Sequence, residues 1–191
     1  MRGALLLAAA LAIAGAAPPP EAERAVPGER AGWATDGAGG CWVHVGGVAA
    51  AATDLSAVWD GGCPDGPAEG RGRSVMRWRI NGEERSMTFE GVLRRGKAEG
   101  HGRLTHRNGG DAVAVEEGEY QDDYLVQGRL ELPRAGLVYE GGFRRGQPDG
   151  EGRLATPNRT FAGTWTLGCL PVDGAWIAFT RPSRDCEGQP T

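Results

Sequence analysis

The sequence has little of what catalytic and metal centres are made from. It carries only three histidines. No Gly-x-Ser-x-Gly element occurs, which excludes the nucleophile turn of the common hydrolases. No glycine-rich loop ends in Lys-Ser or Lys-Thr, so no phosphate cradle of that kind is expected. No Cys-x-x-Cys occurs, and of the histidines only His44 lies near a cysteine pair, so no metal site is expected. There is also no excess of basic charge. The formal net charge is −4, which argues against a nucleic-acid partner.

Long apolar runs are missing too. Ala4–Ala14 is the longest, and eleven residues are too few to span a bilayer. It follows the basic start Met1-Arg2-Gly3 and precedes the small-x-small triplet Ala14-Gly15-Ala16, the layout of a secretory signal peptide. A signal peptide is expected over 1–16, with cleavage after Ala16 and export to a bacterial periplasm or the extracellular space. Leu, Ile, Val and Phe make up only 28 of the remaining 175 residues, too few for a thick two-sided core.

Glycine is what the chain has in quantity. It accounts for 33 of 191 residues, about 17% against a usual ~7%. A helical bundle is excluded, since each interior glycine costs roughly 1 kcal/mol relative to Ala. Collagen is excluded because no three-residue period runs through the chain. Residues 17–40, with Pro18-Pro19-Pro20, Pro27-Gly28 and Gly39-Gly40, show no alternation and read as a flexible leader.

From Cys41 onward the glycines are periodic. Trp59-x-Gly61 is followed by Gly66, Gly70 and Gly72. Phe89-x-Gly91 is followed by Gly96, Gly100 and Gly102. Tyr139-x-Gly141 is followed by Gly146, Gly150 and Gly152. Two copies are degraded. One starts at Glu116, keeps Gly118 and Gly128, and has about one residue deleted; the other keeps Phe161, Gly163 and Gly168. Copies starting near 59, 89, 116, 139 and 161 repeat about every 25 residues, the mark of an array of small units. Each unit reads as a β-hairpin, with Arg94-Arg95-Gly96 as one turn and Asn81-Gly82 and Asn108-Gly109 as connections between units. Met76, Trp78 and Ile80 alternate with Arg77 and Arg79, as on a strand with one wet face.

The pattern aromatic-x-Gly, Gly, Gly-x-Gly resembles the MORN repeat (membrane occupation and recognition nexus). The resemblance covers residues 41–180 and is strongest at Phe89–Leu104 and Tyr139–Leu154. It implies an all-β protein: an elongated, single-layer, twisted antiparallel sheet of stacked hairpins with a groove along one face. It also implies a binding or scaffolding role, in some members linked to phospholipid headgroups. Cys41-Trp42, Cys63, Gly168-Cys169 and Cys186 look like the flanks of exported bacterial members. The array is expected over 41–186, with a tail over 187–191.

Four cysteines in an exported chain are expected to form disulfides, for which three connectivities exist. The local pairs Cys41–Cys63 and Cys169–Cys186 are favoured, because they would cap the two ends of the array. Arg73, Arg103, Arg129 and Arg153 follow the second-strand glycine, and Arg94-Arg95 and Arg144-Arg145 share one hairpin tip. Equal offsets in a stacked array should form ladders. Arg94, Arg95, Arg103, Arg144, Arg145 and Arg153 are thus candidate contacts for an anion or a partner, unless they pair with Glu90, Glu117, Glu119 and Glu140. His101 fills a slot held elsewhere by Arg71 and Glu151, so it is expected to be solvated. Neither His44 nor His106 has a carboxylate or nucleophile at a recognisable spacing.

No catalytic residue, metal or cofactor is therefore expected. The function expected is non-enzymatic binding or scaffolding in the cell envelope, with a protein partner. The alternatives are recognition of anionic phospholipid or envelope polysaccharide through the arginine ladders, and more remotely an envelope hydrolase. Exposed sheet edges would also permit self-association.

Overall fold

The computed structural model describes residues 29–35 and 40–187. The expected signal peptide, residues 17–28 of the leader and residues 188–191 of the tail lie outside the described residues. Nine strands form one antiparallel sheet in simple chain order. They are β3 (Thr53–Trp59), β4 (Gly70–Ile80), β5 (Glu83–Arg94), β6 (Lys97–Asn108) and β7 (Asp111–Gln121), then β8 (Tyr124–Leu132), β9 (Leu137–Arg144), β10 (Gln147–Ala155) and β11 (Thr160–Trp165). A separate hairpin lies at each end of the chain. β1 (Glu29–Thr35) pairs with β2 (Trp42–Ala49), and β12 (Cys169–Val172) pairs with β13 (Ala175–Ala178).

β1 corrects the sequence reading, which had 17–40 as a flexible leader. Glu29–Thr35 is a strand because its backbone pairs with β2 from Glu29↔Ala49 to Thr35↔Trp42, and because Trp33 meets Trp42 edge-on at 4.3 Å. Its Gly- and Ala-containing sequence carries little intrinsic strand preference; the pairing partner and the tryptophan contact supply the order.

The hairpin tips explain part of the glycine pattern. Arg95-Gly96 and Arg145-Gly146 are two-residue turns in which both residues have positive φ, near 51° and 80° and near 52° and 75°. That geometry matches the twist of the flanking strands, and glycine adopts it without strain. A second part lies within the strands. Gly72 faces Gly91, Gly102 faces Gly118, and Gly118, Gly128, Gly141, Gly152 and Gly163 continue the row strand by strand. Eight strands, β4 to β11, thus share one line of glycines.

Rings lie on that line. The Phe89 ring covers Gly91 and Gly102: a Cβ on either would come within 2.7 Å and 2.5 Å of its Cζ. Trp59 lies the same way over Gly61 and Gly72, and Tyr139 over Gly141 and Gly152. Each ring sits two residues before one glycine in the chain and against the other on the next strand. Aromatic-x-Gly with a distant Gly-x-Gly is therefore one packing unit: the aromatic folds flat onto backbone, and any side chain there would displace it. Trp59, Phe89 and Tyr139 are buried as a result, each burial contributing about 1.5–3 kcal/mol. The polar atoms of two rings are also satisfied. Trp59 Nε1 donates to the Gly62 carbonyl at 3.0 Å, and the Tyr139 hydroxyl to that of Gly142 at 3.2 Å. The Phe161 copy differs: its Gly163 is met by Leu170, and Phe161 is only half-buried.

The ends are stapled. Cys41 bonds Cys63, tying β2 to the β3–β4 connection, with Cα atoms 5.5 Å apart. Cys169 bonds Cys186, tying β12 to the segment after β13, with Cα atoms 5.6 Å apart. In the chain-entropy model, loops of this length stabilise by roughly 3 kcal/mol each.

Candidate binding face

Period-2 alternation gives the nine-stranded sheet two unlike sides. On one side Arg73, Glu90, Arg103, Glu117, Arg129, Glu140 and Arg153 are successive cross-strand neighbours from β4 to β10. Opposite charges alternate along the whole line. Arg73 lies 3.6 Å from Glu90, Arg103 bonds Glu117, and Glu140 is held by Arg129 at 2.8 Å and Arg153 at 2.9 Å. The hydrogen bond from Arg153, followed by that from Arg129, holds the Glu140 carboxyl below the usual carboxylate range. The same contact with Glu140 raises the Arg129 guanidinium. Arg103 and Arg153, candidates for anion contact, are thus engaged by carboxylates of their own sheet.

The tip arginines do not form a ladder. Arg94-Arg95 at the β5–β6 tip and Arg144-Arg145 at the β9–β10 tip are separated by the β7–β8 tip, which is Asp122-Asp123. In the degraded copy Gln121-Asp122 stands where the other two have a pair of arginines, and Asp123 takes the place of the turn glycine. Arg144 pairs with Asp149 at 2.9 Å, and Lys97 with Asp122 at 2.9 Å. Among the described residues no carboxylate lies within ion-pair distance of Arg94, Arg95 or Arg145.

Neighbouring tips are instead joined through their backbones. The carbonyls of Ala68, Ala98 and Pro148 accept the N–H groups of Gly96, Asp123 and Gly168 on the next tip. The acid that follows each of them, Glu69, Glu99 or Asp149, accepts the N–H of Arg95, Asp122 or Leu167. The acid before Gly-x-Gly is therefore a bracket between tips, a role the sequence reading missed. Its signal was present as Ala-Glu-Gly, Ala-Glu-Gly and Pro-Asp-Gly at equal offsets.

The other side of the sheet is apolar. Phe89, Leu104, Glu116, Leu130, Tyr139, Leu154 and Phe161 are cross-strand neighbours in one row. A second row runs Met76, Met87, His106 and Ala114, and Leu132 pairs with Leu137. Covers lie toward the ends. Trp33 and Trp42 pack on Gly96, Leu170 lies over Gly163, and Phe179 stacks on Tyr139 with ring centres 6.0 Å apart. Between them Leu104, Ala114, Leu132 and Leu137 stay half-buried. Burial raises the Tyr139 phenol to about 12, with Asp149 and Glu151 adding to it.

Glu116 interrupts the apolar row. It takes the slot that holds an aromatic in the other four copies. Its Oε1 lies 3.6 Å from His106 Nε2, and its Oε2 accepts the Tyr120 hydroxyl at 3.3 Å. Burial, and then the Glu116 charge, push the Tyr120 phenol well above its ordinary value. His44 also has a carboxylate partner: its Nδ1 lies 2.5 Å from Asp123 Oδ2. Both histidines, which have no carboxylate at a recognisable spacing in the sequence, thus have one beside them in the fold. These contacts join residues of different elements, and only the pairing register brings Glu116 diagonally across from His106. His101 lies 3.4 Å from Glu119 on the exposed surface. Among the described residues no three His, Cys, Asp or Glu side chains are arranged to hold a metal.

The architecture defines a β-hairpin repeat array whose unit is an aromatic ring laid on a pair of glycines. Residues 89–111 and 139–160 match the MORN repeat model, so the chain carries MORN repeats in these two segments. Trp59 with Gly61 and Gly72, outside both matched segments, repeats the same packing. No curated protein is significantly similar to the chain.

Proposed function

We propose that this is a non-enzymatic binding protein of the cell envelope that receives a protein partner on the open middle of its apolar sheet face. The single observation that carries this reading is the contrast between the two sides. The Arg–Glu side is satisfied by its own ion pairs, whereas the apolar side is covered near its ends and leaves Leu104, Ala114, Leu132 and Leu137 part-exposed. An apolar strip rimmed by polar residues is the usual form of a protein-interaction surface. MORN repeats are in general protein- or membrane-binding modules, which agrees with a binding role. The two disulfides suit an oxidising compartment, in line with export.

The test is a pair of variants compared after in-cell crosslinking and capture. Leu132→Glu with Leu137→Glu should fold but lose the partner. Arg94, Arg95, Arg144 and Arg145 changed together to Ala should retain it. The opposite pattern would move the binding site to the tips and favour an anionic lipid or polysaccharide ligand.

A further inference from the structure

Glu116 is anomalous in two ways. It is a carboxylate in a row that is otherwise Phe, Leu and Tyr, with Leu104 and Leu130 as its direct neighbours on the adjoining strands. It is also a glutamate without a permanent cation. On the opposite side Glu90, Glu117 and Glu140 each face arginine. Among the described residues Glu116 meets the His106 imidazole, 3.6 Å away, and accepts a hydrogen bond from the Tyr120 hydroxyl, but it faces no lysine or arginine. Its side chain is only 25% exposed, so the charge is partly withdrawn from water. A partly desolvated carboxylate is costly unless an opposite charge reaches it.

We infer that Glu116 receives a cationic side chain from the partner: a lysine or arginine set between apolar residues that cover the half-buried Leu104 and Leu132. This rests on the reading of the apolar side as the binding face, and it names the chemistry of what binds there. Tyr120 holds one carboxylate oxygen at a fixed position from a buried site, so the acceptor is oriented before the partner arrives. Apolar contact on both sides with one central charge gives the face a register. A segment shifted along the row would bury its cation against leucine and leave Glu116 unpaired.

The test is selection of binders from a phage-displayed library of random linear peptides on the purified protein. Peptides are kept only if Leu132→Glu abolishes their binding, so that all of them report the apolar face. The expected result is enrichment of Lys or Arg flanked by apolar residues. Glu116→Gln should then weaken these peptides about tenfold or more. Glu117→Gln, on the charged side, should leave them unchanged. Face-dependent peptides with no basic enrichment, or with affinities indifferent to Glu116→Gln, would overturn the inference and leave the binding face standing. A library that yields no binder sensitive to Leu132→Glu would overturn both.

Discussion

His44 and Asp123, 79 residues apart, are joined side chain to side chain at 2.5 Å. The contact fastens the β1–β2 hairpin to the β7–β8 tip. The same Asp123 also accepts the Ala98 N–H through its other oxygen at 2.5 Å, so one carboxylate links three elements. Asp123→Ala should therefore cost more than His44→Ala, about 2–3 against about 1 kcal/mol, because it also leaves the Ala98 N–H without its acceptor. Asp123→Asn should fall between the two. Urea unfolding of the three variants checks the order. Equal losses from His44→Ala and Asp123→Ala would show that the hydrogen bond from the Ala98 N–H to Asp123 contributes nothing.

The glycine row predicts a sharp contrast between two alanine substitutions. At Gly102 a Cβ would meet the Phe89 ring at 2.5 Å, whereas at Gly110 nothing lies within 4 Å and φ is not positive. Gly102→Ala should destabilise by about 1–3 kcal/mol or more through overpacking. Gly110→Ala should stay within about 0.5 kcal/mol of the parent. Thermal melts of both variants decide it. Adding Phe89→Leu to Gly102→Ala should recover part of the loss, because the two positions share one contact.

The Arg–Glu line predicts a modest, salt-sensitive acid limb. Its two arginines hold Glu140 ionised below the ordinary carboxylate range. The stability it adds is present above that ordinary range and is lost as pH falls through the lowered value. Glu140 is 42% exposed, so the contribution should stay below about 1 kcal/mol. Glu140→Gln should lower Tm slightly at neutral pH and flatten its fall in acid. The difference should shrink as salt is raised.

The Asp122-Asp123 tip predicts a negative result with membranes. Two pairs of tip arginines separated by two acids present no continuous basic strip. Co-sedimentation with anionic vesicles should be weak and unchanged when Arg94, Arg95, Arg144 and Arg145 become Ala. Strong binding that those substitutions abolish would contradict the assignment of the ligand to the apolar face.

Much of the fold was legible because its repeat has a steric cause. A ring laid on two backbones requires glycine at fixed offsets, and those offsets appear directly in the sequence at Phe89–Gly102 and Tyr139–Gly152. The missing residue of the Glu116 copy is equally physical: its hairpin slips register by one residue, where the Phe89 and Tyr139 hairpins slip by two. What stayed hidden were contacts that no local pattern encodes. Glu29–Thr35 is a strand by virtue of its partner. His44 and Asp123 meet because two elements dock. Glu116 was visible as a misfit in the aromatic slot, but its meeting with His106 required the register between β6 and β7.

The apolar side, and not the charged side, is the proposed seat of the partner. The most direct measurement is in-cell photo-crosslinking, with a photoreactive amino acid placed at Leu132 or Leu137 and, separately, at Glu117 or Arg129. Each apolar-side position should give one discrete protein adduct, and the charged-side positions none. Adducts from Glu117 or Arg129 alone would contradict this placement.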